Sequence, residues 1–334
     1  KQRCFCPSCH KKRILNLAHH LIANVLAKVP HRHFVFTVPK RFRRYFKYNR
    51  ALLKRLSQCA WFTIRDVYQS VLGDEPIPGA VLSIQTFGEL IHWHPHIHAL
   101  VSDGSFLPNG SFLPLPPLAT EPFLKLFEHN IFTLLRDEGL ITTSIIASMK
   151  SWSHSGFSVH KNVSFDAANT SGLETIIEYI SRGPFSQDRM SRVTPEGKVL
   201  YQAEHDTPRA FPHPDDTAGS RRNFEVFDPL DFLAAVTQHI PNKGEHLINY
   251  FGFYSNKSRG VRRKRSEVQV PQFHHQDEEP DVSSKPARLA WAALIKKVYE
   301  VDPLLCPKCG SEMKIIAFIT DRAVIRKILG ITPA

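Results

Sequence analysis

The sequence predicts an α+β fold. Two observations carry that prediction. Apolar residues recur at helical spacing over 14–29, 50–72 and 121–138, and β-branched and aromatic residues crowd 33–38, 80–87 and 92–101. The chain has 334 residues. That length allows about two domains, or one large domain with appendages, and a substantial buried core.

The elements follow in order. Residues 14–29 form a predicted helix stopped by Pro30. The run 33–38, HFVFTV, reads as a strand ended by Pro39. Residues 50–72 are helical, and 73–79, with Pro76 and Pro78, form a turn region. The strands 80–87 and 92–101 are broken apart at Gly88 and read as a hairpin or as adjacent strands. A loop with four prolines spans 103–120, a helix 121–138, a serine-rich stretch expected as strand 141–163, and a short helix 173–179. Short strands and turns alternate over 183–223. Asp228 and Pro229 suit the cap and first turn of a helix that reaches 240. Pro241 and Gly244 separate it from a second helix expected over 245–258, which Gly260 would end. Residues 261–287 begin as VRRKR, turn acidic and lack periodicity, so they read as a linker. A helix over 288–301, a cysteine pair and an apolar tail close the sequence.

Composition narrows the function classes. Lysine and arginine number 43 against 31 acidic residues, a net charge of +12 that favours a polyanionic partner. With 42% apolar and 22% charged residues, the chain is neither disordered throughout nor a membrane bundle, and its longest apolar runs fall far short of a bilayer span. Six cysteines are too few for a disulfide scaffold. Four form the pairs Cys6/Cys9 and Cys306/Cys309, a C-x-x-C spacing that points to metal or redox use in a reducing compartment. The chain opens on Lys1 rather than Met, so an upstream part is expected to be missing.

Two clusters carry chemistry. In His92-Trp93-His94-Pro95-His96-Ile97-His98, four histidines fall within seven residues. On a strand, His96 and His98 share a face while Ile97 points the other way, so two imidazoles can share a divalent cation with positions open for oxygen ligands. Histidines at a strand edge without metal are the plainer alternative. The second cluster is INYFGFYSNKSRG, 248–260. If it is helical, Tyr250 and Tyr254 are i,i+4 neighbours. Paired tyrosines often pack a core. Here Lys257, Arg259, Arg262, Arg263, Lys264 and Arg265 follow at once, a surface suited to phosphates. A phenol needs such positive charge to become an attacking phenolate.

With these residues in place, the chain resembles the rolling-circle transposases of the insertion-sequence-91 type, members of the HUH endonucleases. The His-hydrophobic-His motif is matched by His96-Ile97-His98, and the two-tyrosine signature by Tyr250 and Tyr254. HFVFTVP (33–39), QTFGE (85–89), HSGFSVH (154–160), YISRGPFS (179–186) and HIPNKGEH (239–246) fit in the same order, and CFCPSCHKKR and CPKCGSEMKIIAFI are similar to the ends of the family.

The resemblance implies an antiparallel sheet with His96 and His98 on a central strand, flanking helices, and partial cysteine knuckles at both termini. It divides the chain into a zinc-module remnant (1–13), a catalytic domain (14–260), a linker (261–287) and a C-terminal tail (288–334). It implies Mg²⁺ or Mn²⁺ on His96 and His98, with Glu89 as the favoured third ligand and Gln85 or His94 as the others in reach. It implies tyrosine attack on single-stranded DNA at element ends and target, leaving a 5′-phosphotyrosine, and a cytoplasmic, nucleoid-associated bacterial enzyme without a membrane or small-molecule partner. Lys257, Arg259, Arg262, Arg263, Lys264 and Arg265 would track the DNA backbone. Cys6 and Cys9 alone cannot close a four-ligand zinc site. Loss of Zn²⁺, completion by Cys4 or His10, and pairing with Cys306 and Cys309 all stay open. The alternatives are an inactive DNA-binding remnant, or a plasmid replication initiator or relaxase of the same chemistry.

Overall fold

Pro7 opens the first helix, α1 (Pro7–Asn24), of a computed structural model that describes residues 6–203, 209–213, 216–265 and 304–314. Proline suits a first helical turn because its missing N–H would have no partner there. The helix thus begins inside the cysteine-rich run and ends at Asn24, short of the expected 29. β1 (His31–Thr37) follows, then a 3-10 turn (Lys40–Phe42), α2 (Arg43–Tyr48) and α3 (Ala51–Leu72). The long hairpin is β2 (Ile77–Phe87) and β3 (Trp93–Phe106), to which the short β4 (Phe112–Pro114) adds. α4 (Glu121–Asp137) lies where the periodicity placed it.

Residues 143–150 depart from the expected strand and form α5 (Thr143–Lys150). Thr142 caps it, its hydroxyl accepting from the Ile145 N–H, a local bond that the serine-rich composition concealed. β5 (Ser158–Phe165) and α6 (Thr170–Ile180) come next. The following segment carries β6 (Met190–Val193), β7 (Val199–Gln202), β8 (Arg209–His213), β9 (Asp216–Arg222), β10 (Phe224–Phe227) and α7 (Pro229–Thr237). β11 (Ile248–Gly252) and α8 (Asn256–Arg265) close the first of two compact units, Lys1–Glu267 and Val268–Ala334.

The main sheet is antiparallel in the order β11-β2-β3-β1-β5, which places β3 at its centre. Ile97, Ala99 and Val101 of β3 join a core built with α3 and α4, where Phe34, Phe36, Phe123 and Phe127 are fully buried. Burying each such ring contributes about 2 kcal/mol. Alternate residues face the other way: Leu100 and Val81 pack with Ala18 and Leu21 of α1 and with Ile177 of α6. Both faces of the sheet are therefore covered, and polar groups between the layers need partners.

Two expectations near the C-terminal end of the first unit are corrected. The helix expected over 245–258 is instead strand β11, a turn and then α8. β11 pairs along the edge of β2, Ile248 opposite Ser83 through Gly252 opposite Gly79, and edge pairing outweighs helical spacing. Gly252 sits at φ 56°, and a Cβ there would lie 2.0 Å from the Pro78 carbonyl oxygen, so this position demands glycine. The basic run after Gly260 continues α8 to Arg265 rather than starting a linker, and Gly260 lies within the helix. Most of the expected linker, the 288–301 helix and most of the apolar tail lie outside the described residues. No helix among the described residues is long and apolar enough to cross a membrane.

Candidate active site

β3 sets the geometry. His96 and His98 alternate with Ile97 and point to the face covered by α6. Their Nε2 atoms lie 3.1 Å apart. His96 Nδ1 is 2.7 Å from the His94 carbonyl oxygen. A carbonyl only accepts, so His96 Nδ1 carries the proton and Nε2 carries a lone pair in the neutral ring. His98 Nδ1 is 3.0 Å from Nε2 of His33, on the neighbouring strand β1. In the tautomer whose His98 Nδ1–H donates to His33, the second Nε2 lone pair also turns to the first; in the other tautomer His98 Nε2–H donates to His96 Nε2. Burial disfavours the charged form of both rings: it lowers the His96 pKa to about 4 and that of His98 well below the ordinary value. Two neutral imidazoles with converging lone pairs form half of a cation site.

The neighbours extend it. Gln85 of β2 is the register partner of His96. Its Nε2 donates to the carbonyls of Ile180 (3.0 Å) and Tyr179 (3.2 Å) at the end of α6. Those bonds fix the carboxamide, and its Oε1 is buried without a hydrogen-bond partner among the described residues. An orphaned oxygen beside two imidazoles suits Mg²⁺ or Mn²⁺. Glu89 lies elsewhere, in the turn between β2 and β3, where its carbonyl accepts from Arg189. Among the described residues no group of three or more His, Cys, Asp or Glu side chains is arranged to hold a metal, so Glu89 does not gather with His96 and His98. His96, His98 and their register neighbour Gln85 are the side chains here that could hold such an ion. That turn also holds Ile91 at φ 62°, a left-handed backbone costing roughly 1–2 kcal/mol. Its carbonyl, 2.8 Å from His239 Nε2, helps hold it.

Cations and an aromatic ring border the pair. Tyr179 stands edge-on to His98, ring centroids 5.4 Å apart, and the Arg182 guanidinium lies 4.5 Å from the Tyr179 ring. Arg182 and Arg43 both disfavour protonation of His96.

The two tyrosines diverge. Tyr250 lies on β11 opposite Val81, which is opposite Leu100, so it shares the sheet face of His98. One strand lies between them, a lateral separation of about 10 Å. Tyr250 is half-buried, and the Arg259 guanidinium lies 5.2 Å from its ring. Burial raises its pKa and Arg259 counteracts that. Tyr254, in the turn after β11, is fully buried. Its hydroxyl lies 2.8 Å from His31 Nε2 and accepts from the Ala27 N–H at 3.2 Å. Burial raises its pKa strongly. The ring fills the space over Gly79, where a Cβ would come within 2.7 Å. Since β11 is not helical, the two phenols do not stack along one helix face.

α8 carries the expected cations in two roles. Lys257, Arg263 and Lys264 are exposed. Arg259 donates to the Tyr254 carbonyl, and Arg262 donates to the Phe253 carbonyl at 2.8 Å with its guanidinium 3.6 Å from the Phe253 ring. These two cap the turn. Arg265 ends the helix.

The cysteine pairs are described separately, each in its own unit. Cys6 caps α1 and Cys9 is exposed one turn on; a hydrogen bond with Cys6 raises the Cys9 pKa. His10 Nε2 lies 3.0 Å from the Ser181 carbonyl oxygen, and Cys4 lies outside the described residues. Cys306 and Cys309 flank a tight turn in which Gly310 N–H donates to the Cys306 carbonyl and Gly310 has φ 71°. The Ser311 hydroxyl lowers the Cys309 pKa.

Of these residues His33 went unrecognised in the sequence, and Gln85 stood among the ligands in reach but behind Glu89. The alternation His31-Arg32-His33 leading into the predicted strand 33–38 was the available signal for His33. Nothing in the sequence shows which of two polar residues before the histidine motif faces it.

Residues 79–262, more than half of the chain and including the histidine pair, both tyrosines and most of the basic helix, match the family model Y2_Tnp, described as a putative transposase. The chain belongs to this transposase family. Among individual proteins, it is 24% identical over 331 residues to the transposase for insertion sequence element IS801 of Pseudomonas savastanoi pv. phaseolicola, covering 96% of this chain and 75% of that protein. It is 25% identical over 255 residues to the putative transposase y4qJ of Sinorhizobium fredii, covering 68% of this chain and 59% of that protein. No solved structure matches.

Proposed function

We propose that the chain nicks and rejoins single-stranded DNA at the ends of a mobile element through a 5′-phosphotyrosine, in rolling-circle transposition, and that its sheet is of the HUH type. The observation that carries this reading is the pair of neutral imidazoles on the central strand, Nε2 atoms 3.1 Å apart, with Tyr250 on the same sheet face. His96 Nε2, His98 Nε2 and Gln85 Oε1 would hold Mg²⁺ or Mn²⁺. A bound ion supplies charge neutralisation at the scissile phosphate.

The chain's own groups do the rest. His33 and the His94 carbonyl orient the two imidazoles. The α6 carbonyls aim the Gln85 oxygen. Tyr250 attacks phosphorus; one P–O bond forms to the phenol oxygen while the bond to O3′ breaks. The phenol proton is balanced by the proton gained at the departing 3′-hydroxyl. One phosphodiester replaces another, so rejoining needs no nucleotide cofactor. Arg259, against the Tyr250 ring, favours the phenolate. Tyr254 is held in reserve by His31 and would act after the 252–255 turn releases it. Lys257, Arg263 and Lys264 contact backbone phosphates. Each cysteine pair by itself supplies two of the four ligands that a closed Zn²⁺ site needs.

The test is incubation with single-stranded DNA bearing element ends and Mn²⁺, followed by a denaturing gel. The parent and Tyr254→Phe should form a covalent adduct, and Tyr250→Phe should not. Adduct on Tyr250→Phe overturns the nucleophile. No adduct from the parent favours an inactive DNA-binding remnant.

A further inference from the structure

Residues 40–50 read KRFRRYFKYNR: six cations and no carboxylate. Phe42 and Phe46, one helical turn apart, are fully buried and anchor the segment. Lys40, Arg41, Arg44 and Lys47 are consequently exposed, and Tyr48 is 85% exposed. Packing so many like charges on about ten residues without acids is unfavourable unless a polyanion neutralises them. Arg50 has its own acid, Glu245, at 2.9 Å, and the nearby Glu138 is engaged by Arg55.

Aromatic rings interleave the cations. The Arg44 guanidinium lies 5.3 Å from the Tyr45 ring, and that of Arg41 5.9 Å from the ring of Trp152, which is 45% exposed. Arg44, Tyr45, Tyr48, Asn49 and Leu140 line an open pocket of about 440 Å³, room for a nucleobase. The strip starts where the histidine site ends. β1 finishes with Thr37 opposite His96, and Trp93 Nε1 donates to the Arg43 carbonyl at 3.0 Å. Arg43 Nε is shielded from solvent with no hydrogen-bond partner among the described residues.

We propose that residues 40–49 form a track for single-stranded DNA leading away from the His96–His98 site. Lys40, Arg44 and Lys47 take phosphates, and an unpaired base enters the Tyr45–Tyr48 pocket. Ring faces serve unpaired bases, because duplex bases are stacked on each other. The track's role in cleavage rests on the function proposed above; its affinity for a single strand does not.

The experiment is fluorescence anisotropy of the full chain with labelled oligothymidylate and with a duplex of equal length. Tyr48→Ala should bind the single strand about tenfold more weakly and the duplex as the parent does, while Tyr48→Phe keeps the parent's affinity. Arg44→Ala should flatten the single-strand salt dependence by about 0.7 in log–log slope. Parent-like single-strand binding by Tyr48→Ala and Arg44→Ala overturns the proposal, as does equal loss on single strand and duplex. Unchanged thermal melting shows that the variants fold. A missing covalent adduct with weakened strip variants removes the cleavage reading alone; an adduct with unaffected strip variants removes the track alone.

Discussion

Replacing each tyrosine by phenylalanine separates their structural roles. The Tyr254 hydroxyl is buried between His31 Nε2, at 2.8 Å, and the Ala27 N–H, at 3.2 Å. Tyr254→Phe removes both bonds and leaves a buried ring nitrogen and a buried amide without that partner. An unsatisfied buried group costs about 1–3 kcal/mol, part of which relaxation recovers, so a loss of about 2 kcal/mol is expected. Tyr250 is half-buried, and its environment is set by burial and Arg259, with no hydrogen bond to the phenol among the described residues. Tyr250→Phe should therefore cost under about 0.5 kcal/mol. Urea unfolding followed by circular dichroism measures both: the Tyr254→Phe midpoint falls at unchanged slope, and the Tyr250→Phe midpoint stays near the parent's. Equal midpoints for the two variants would refute the His31 anchor, and with it the reserve role of Tyr254.

Three further outcomes are expected. Gly252→Ala combines a positive φ with a Cβ 2.0 Å from the Pro78 carbonyl oxygen, so it should cost more than about 2 kcal/mol in the same urea assay, or prevent folding. His31 and His239 are held neutral by burial with pKa values lowered to about 4, while the unfolded chain protonates them near 6.5. Their contribution is complete above pH about 6.5 and is lost as pH falls towards 4, by up to about 3 kcal/mol per ring; unfolding midpoints should be flat from pH 8 to about 6.5 and drop below it. Gln85→Ala should weaken Mn²⁺ binding, read by calorimetry, at least about tenfold, whereas Glu89→Ala should leave it unchanged.

Sequence and tertiary structure divided the work. Strand and helix existence was legible wherever one period dominated: 33–38, 80–87, 92–101, 50–72 and 121–138 each overlap an element of the matching type, although only 80–87 falls wholly inside one. It failed at 245–258 and 143–150. Tyr250 and Tyr254 have helical spacing, yet β2 offered an unpaired edge, and Gly252 broke the helix by turning the chain at φ 56°. The 40–48 segment carries only two phenylalanines, Phe42 and Phe46, too few to mark a period.

For the site, the sequence alone determined that His96 and His98 share a strand face, because side-chain alternation is a local property of the backbone. Only the fold decided that Gln85 rather than Glu89 lies beside them. Cross-strand register depends on where a hairpin turns, and the turn placed Glu89 at the bend. Only the fold, likewise, set Tyr250 on the histidine face and anchored Tyr254 on His31, since both placements depend on strands far apart in the chain meeting in one sheet.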